Sequence, residues 1–158
     1  MTTRTSYRWL PIRDADPRAI GIYRRHYSAD RRNNHHAGIG GPGPRMLLLT
    51  VDSKALWVWR LRPQGLAVNA KGYDDGQRGV MCTVFRNEGP HLSSDLVREA
   101  DELAWNRWDD DRHFTYVDAT KTAKHRGKQN PPGSCFLMAG WHQCGVSKGG
   151  LILLEIWR

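Results

Sequence analysis

The 158-residue sequence predicts an α/β fold, a mixed sheet flanked by helices, and three observations carry that expectation. "RMLLLTV" (45–51) and "ALWVWRLR" (55–62), parted by the turn "DSK", read as a strong β-hairpin. Leu96, Ala100, Leu103 and Ala104 recur at i, i+4, i+7 and i+8, the stripe of an amphipathic helix. "WHQCGV", "SKGG" and "LILLEIW" close the chain as a second hairpin. Strands that alternate with helical segments in this way predict an α/β layer.

The elements follow in order. "YRWLPI" (7–12) is a short opening strand. Asp16 before Pro17 is an N-cap and first-turn pair, and it opens a helix through "RAIGIYRRHYS" on which Ile20, Tyr23, Arg24 and Tyr27 share a face. "ADRRNNHHAGIGGPGPR" is a long loop rich in Gly, Pro and Asn, of the length that binds something or moves. After the first hairpin, "RGVMCTVF" (78–85) is a third buried strand, broken by "RNEGPH". A helix runs from Ser94, "HFTYVDAT" (113–120) is another strand, and a short helix starts near Gly133. The expected order is β-α-ββ-β-α-β-α-ββ. Trp57 and Trp59, on either side of Val58, share one face of a strand and cover the core; Trp105, Trp108, Trp141 and Trp157 read the same way. No repeat or low-complexity linker divides the chain, so residues 1–158 are expected to form one domain.

Composition narrows the classes. With 39% hydrophobic residues a chain of this length buries a core without staples. No stretch approaches the roughly 20 apolar residues of a membrane span, and "MTTRTSYRWLPIR" has no apolar signal region. Cys82, Cys135 and Cys144 are odd in number and sparse, which predicts a soluble chain in a reducing cytoplasm. Cys135, His142 and Cys144 lie close in sequence but lack C-x-x-C or H-x-x-x-H spacing, so no structural metal site is expected.

Charge points to a polyanion. Lys and Arg outnumber Asp and Glu by 24 to 16, and residues 1–45 hold nine Arg against three Asp. A second acid-free run, "ATKTAKHRGKQN" (119–130), adds four cations and His125. Such clusters suit nucleic acid or the phosphates of a nucleotide-like cofactor, or else form a solvated basic surface. Two places bring a strand, a tight turn and a helix start together. In "FRNEGPHLSSDLV" the helix N-terminus, with Ser93 and Ser94, offers free donors to a phosphate unless the serines are ordinary caps. In "NPPGSCF", Asn130 either hydrogen-bonds a ligand or organises the Pro-Pro-Gly turn.

From Met81 to Glu155 these motifs resemble the second half of the Gcn5-related N-acetyltransferase fold, a largely antiparallel mixed sheet with a C-terminal hairpin. "NPPGSCFLMAGWHQCG" (130–145) is similar to its closing motif. More narrowly, "RRHYS" (24–28), "FRNEG…SSDLVREA" (85–100), "FTYVDATK" (114–121) and "GSCFLMAGWHQCG" (133–145) resemble phage Mu Mom-like DNA modification proteins, which act on adenine. The resemblance implies acetyl-CoA or a related acyl-CoA as donor, held by Phe85, Arg86, Gly89, Ser93, Ser94, Asn130, Ser134 and Phe136. It places the thioester against Val84 to Arg86 and the pantetheine between that strand and "FTYVD".

Two residues depart from the family's pattern. His91 of "RNEGPH" stands where the phosphate loop ends in a small residue, and Phe136 stands at the closing Tyr. The phenol that protonates the leaving thiolate is missing there, so Tyr27, Tyr116, Cys135 or water substitutes, or the reaction is not ordinary acetyl transfer. Asp118, at the end of its strand, is the candidate carboxylate of the cleft, or else a turn or cap residue. His26 and Tyr27 are placed to meet a base, Tyr27 by stacking and His26 by handling a proton, the alternative for Tyr27 being a core position. Arg24, Arg25, Arg31, Arg32, Arg45, Lys121 and Lys124 are the candidate DNA-phosphate contacts. The sequence reading is thus a DNA base-modifying acyltransferase. Its rivals are an acetyltransferase for a small amine or protein and a non-catalytic nucleic-acid-binding protein on the same fold.

Overall fold

The structure is a computed structural model and describes residues 6–26, 29, 39–41, 43–62, 74–123 and 130–158. The elements are β1 (Trp9–Ile12), α1 (Pro17–Arg25), β2 (Arg45–Thr50), β3 (Ala55–Arg62), β4 (Gly79–Asn87), α2 (Ser93–Arg107), β5 (Arg112–Val117), α3 (Ala119–Thr122), α4 (Ser134–Met138), β6 (His142–Val146) and β7 (Ile152–Trp157). All seven strands join one sheet in the order β1-β2-β3-β4-β5-β7-β6. Every neighbouring pair is antiparallel except β4 and β5. The expected order holds, with the four-residue α3 added.

Both faces of β3 are covered, which is why it reads as an almost unbroken apolar run. Ala55, Trp57 and Trp59 go to one face with Trp9, Val80 and Cys82, where they meet Leu96, Val97, Ala100 and Ala104 of α2 and Phe136 of α4. Leu56 and Val58 go to the other, with Leu47, Leu49 and Val84, against Ala19 and Ile22 of α1. Indole donors fasten α2 to its face: Trp9 Nε1 donates to Leu96 O at 2.8 Å and Trp59 Nε1 to Ala100 O at 3.0 Å. The acceptors are four residues apart, one turn of the helix, so both lie on the buried side. None of the described helices is long and apolar enough to cross a membrane.

Several boundaries and faces differ from the sequence reading. On α1 the buried residues are Ala19 and Ile22, with Ile20 and Tyr23 partly covered and Arg24 exposed. Asp16 does cap that helix, its carboxylate accepting from Arg18 N at 2.9 Å. Helix α2 starts at Ser93 with Leu92 as N-cap, and neither Ser93 nor Ser94 is the cap. Strand β5 stops at Val117 rather than continuing to residue 120, because Asp118 turns the chain into α3 by accepting from Thr120 N and Lys121 N, each at 3.0 Å. Trp141 is buried, but Trp157 is 58% exposed at the end of β7.

Candidate active site

The parallel pair β4 and β5 creates the site. β4 and β5 are in register only at Val80 with His113 and Met81 with Phe114, after which they part. The last tie is a side chain: Thr115 Oγ1 donates to Cys82 O at 2.8 Å. From Thr83 onward the ladder partner of β4 is β3 alone, so alternate backbone N–H and C=O groups on its other edge face open space.

A β-bulge sharpens the parting. Trp59 pairs with Cys82 and Val58 with Val84, which leaves Thr83 unopposed. The extra residue shifts the alternation of β4 by one. Val80 and Cys82 pack on the α2 face, Val84 on the α1 face, and Phe85 returns to the α2 face against Trp57 at 4.9 Å between centroids. A bulge bends its strand and increases the local twist, and here it falls where β4 and β5 part.

The space between the strands is a cavity of about 430 Å³, within the range of small-molecule sites. Phe85, Arg86, Asn87 and the Ser93–Ser94 pair line one side; Thr115, Tyr116 and Val117 line another; Asn130, Gly133, Ser134, Cys135 and Phe136 close it, with His26 at the α1 end. Of the sequence-derived cofactor residues, all but Gly89 line it. Gly89 supports the loop instead, its N–H donating to Asn87 Oδ1 at 3.0 Å.

The loop "RNEGPH" is organised by a residue the sequence reading passed over. Asn87 Nδ2 donates to His91 O at 2.7 Å and to Ser93 Oγ at 3.0 Å while its Oδ1 holds Gly89. An Asn at a strand end just before Gly-Pro was the available signal. The loop delivers the chain to α2 with no side chain capping that helix. Asp95 N–H turns back to Leu92 O, while the N–H groups of Ser93 and Ser94 meet no acceptor among the described residues and are open to an anion, reinforced by the dipole of 15 residues.

Glu88 ties this loop to α1. It accepts from Arg25 at 2.6 and 2.7 Å and from Arg86 Nε at 2.7 Å, and these hydrogen bonds, Arg25 foremost, hold its carboxyl at about 2. Arg45 is likewise engaged, with Asp14 at 2.7 Å and Ile39 O at 2.8 Å. Two of the candidate phosphate contacts thus serve ion pairs within the chain. Arg24 is exposed and Lys121 lies on α3; Tyr27, Arg31, Arg32 and Lys124 lie outside the described residues.

At the far end Gly133 turns the chain at φ +71°, where an added Cβ would meet Leu154 Cδ1 at 2.6 Å. That left-handed turn, which glycine adopts without strain, sets α4 against the cavity. Phe136 is 7% exposed and stands edge-on to Trp141 at 4.9 Å and to Phe85 at 6.1 Å, a member of the aromatic wall. Burial pushes the Cys135 thiol up to about 11, so it stays protonated at neutral pH. His26 caps α1 and is buried. Asp118 does not line the cavity; it is the cap of α3.

A cleft between two splayed parallel strands, entered past a helix N-terminus and closed by a short helix, with a terminal hairpin completing the sheet, is the arrangement of a GNAT-like fold. In particular, the chain is similar to the solved GNAT domain of S. lividans PAT, at 15% identity over 95% of this chain and 89% of that one, with a TM-score of 0.58. No family model and no curated protein matches the sequence. The likeness establishes a GNAT-like fold, a mixed, mostly antiparallel sheet flanked by helices.

Proposed function

We propose that this chain is an acyl-CoA-dependent N-acyltransferase whose acceptor is the amino group of a DNA base, adenine foremost. The observation that carries the first half is the split between β4 and β5, which runs directly to the uncapped start of α2. An acyl-CoA matches both ends of that space. Its pyrophosphate suits the free N–H groups at Ser93 and Ser94 beside Arg86, and its apolar arm suits the wall of Phe85 and Phe136. Asn130 and Ser134 supply polar contacts along the arm. The thioester then lies against the unpaired edge of β4 near Val84 to Arg86, where backbone N–H groups stabilise the oxyanion. Holding thioester and amine together supplies much of the remaining acceleration.

The choice of a DNA base rests on charge and on the motif resemblance. The chain carries a net charge of +8, with nine Arg in residues 1–45, a field that concentrates polyanions. His26 lines the cavity and belongs to that basic segment, with Tyr27 next in sequence. A duplex amino group is shielded by pairing, so the substrate is a flipped base or a single strand. The second reading, a small-amine or protein acetyltransferase, is favoured by the internal pairing of Arg25 and Arg45.

Two measurements test this. Acetyl-CoA should raise the melting temperature, since a ligand of the native state stabilises it; no shift rejects the acyltransferase and leaves the non-catalytic binder. Nucleoside mass spectrometry on plasmid DNA from expressing cells should then reveal a new nucleoside. Unmodified DNA beside clear acetyl-CoA binding rejects DNA as acceptor and selects the second reading.

A further inference from the structure

Tyr116 lines the cavity from β5, and its phenol donates to Asp75 Oδ2 at 2.8 Å across 41 residues of sequence. Asp75 is built into place. Its Oδ1 accepts from the buried guanidinium of Arg62 and from Gln77 N at 2.9 Å. Arg62 is itself fixed, 2% exposed with its guanidinium over the Phe114 ring at 5.6 Å and Nη1 on Met81 Sδ at 3.4 Å. A tyrosine whose proton is committed to a carboxylate still offers oxygen lone pairs, so it meets a ligand as an acceptor.

We propose that Tyr116 accepts the proton of the acceptor amine and passes its own to Asp75, so that the pair is the proton relay of acyl transfer. The inference rests on the acyltransferase reading above. As the amine nitrogen bonds to the thioester carbon, its proton moves to Tyr116 Oη and the phenol proton moves to Asp75 Oδ2. The C–S bond breaks, and the same two shifts in reverse deliver a proton to the departing sulfur. Amide and thiol leave, and Tyr116 and Asp75 return to their starting states. One phenol thereby serves both steps, and the absence of a phenol at Phe136 is accounted for. A base amino group is scarcely basic, so removing its proton as the bond forms is the step that needs help.

Supporting electrostatics agree with the geometry. Burial and the Asp75 carboxylate push the Tyr116 phenol far above its ordinary range. Burial also pushes Asp75 upward, but the bonds from Arg62, Gln77 and Tyr116 outweigh it and keep the carboxyl below its usual value. Asp75 is therefore ionised at neutral pH and Tyr116 protonated, the resting states the relay requires. Tyr116 is the catalytic residue, and Asp75, acting through it, is a positioning residue.

The test follows thiol release from acetyl-CoA with single-stranded DNA and with benzylamine as parallel acceptors, together with acetyl-CoA binding. Y116F removes one oxygen and leaves the Asp75–Arg62 pair intact. It should lower kcat about 100-fold with either acceptor the wild type uses, with KM for acetyl-CoA and melting temperature unchanged. D75N should lower kcat likewise, with a lower melting temperature because the buried Arg62 loses its carboxylate, and D75E should restore part of kcat. A Y116F enzyme within twofold of wild-type kcat overturns the relay while the acyltransferase stands. Wild-type protein that binds acetyl-CoA but acylates neither acceptor also overturns it. Wild-type protein that does not bind acetyl-CoA overturns the acyltransferase reading itself.

Discussion

Asp101 and His113 form a buried pair, Oδ1 lying 2.7 Å from Nδ1 with side-chain exposures of 3% and 0%. The other carboxylate oxygen accepts from Trp141 Nε1 at 2.9 Å, and Trp105 stacks on the imidazole at 4.6 Å. An ionised Asp101 can only accept, so His113 carries its proton on Nδ1. Its Nε2 has no hydrogen-bond partner among the described residues.

This network joins α2, β5 and the segment entering β6 beneath the cavity, and removing its centre should cost much of the fold's stability. Asp101→Ala strands two buried donors, and urea unfolding should show a loss of about 3–5 kcal/mol. Asp101→Asn keeps one acceptor oxygen for Trp141 and turns an amide N–H toward His113, which forces the other tautomer. Its loss should be smaller, about 1–2 kcal/mol. Equal losses for the two variants would show that the buried acceptors are not what Asp101 supplies.

Glu88 gives the chain an acid-sensitive link between α1 and the loop that joins β4 to α2. Its carboxyl falls from 4.5 to about 2 in the folded chain, so the folded state holds that proton less tightly than the unfolded one. The resulting stabilisation is complete above pH 4.5 and drains away as pH falls toward 2. The pair is partly exposed, with side-chain exposures of 53% for Arg25 and 26% for Glu88, and screening reduces the effect to about 1 kcal/mol. Glu88→Gln should lower stability at pH 7 by that amount and flatten the stability curve between pH 2 and 4.5. A variant curve parallel to the wild type would reject this assignment.

Local signals explain which parts of the architecture were readable. The β2–β3 and β6–β7 hairpins and α2 are written in alternation, turn residues and a helical stripe, all within short windows. The placement of β7 between β5 and β6 depends on pairing with a distant strand, and no window contains that information. Adjacent apolar Val84 and Phe85 did record the bulge, as a slip in the period of two, but without the partner strand the slip has no meaning. Most of the residues expected to hold a cofactor do line the cavity, and they were legible because they sit where strand, turn and helix meet. Charge was the poorer guide: Arg25 and Arg45 look like free cations in sequence, yet their carboxylates come from 63 and 31 residues away. Asp118 was legible either way, since "DATK" is also an N-cap followed by a turn of helix, and a cap is the role it fills.

Asn87 should govern donor binding without governing the fold. Its three hydrogen bonds shape the loop but bury little apolar surface, so Asn87→Ala should weaken acetyl-CoA binding about tenfold by calorimetry. Global stability should fall by about 1 kcal/mol or less. Unchanged affinity in a folded variant would move the pyrophosphate away from this loop.

Leu92 separates what is good for the helix from what is good for the ligand. It is the N-cap of α2 yet offers no side-chain acceptor, and it is 60% exposed in the lining of the cavity. Aspartate there would accept from the first-turn N–H groups and complement the helix dipole, stabilising the fold by about 0.5–2 kcal/mol. The same carboxylate would occupy the donors that a pyrophosphate needs and add a negative charge beside it. Leu92→Asp should therefore raise the melting temperature while weakening acetyl-CoA binding at least tenfold. Leu92→Ala, which supplies no acceptor, should leave binding within about threefold of wild type. If Leu92→Asp stabilised the fold and bound acetyl-CoA as well as before, the start of α2 would not be the phosphate site. The opposite result, a more stable fold that binds acetyl-CoA weakly, would mean that the poor cap at Leu92 is kept because a better one competes with the ligand.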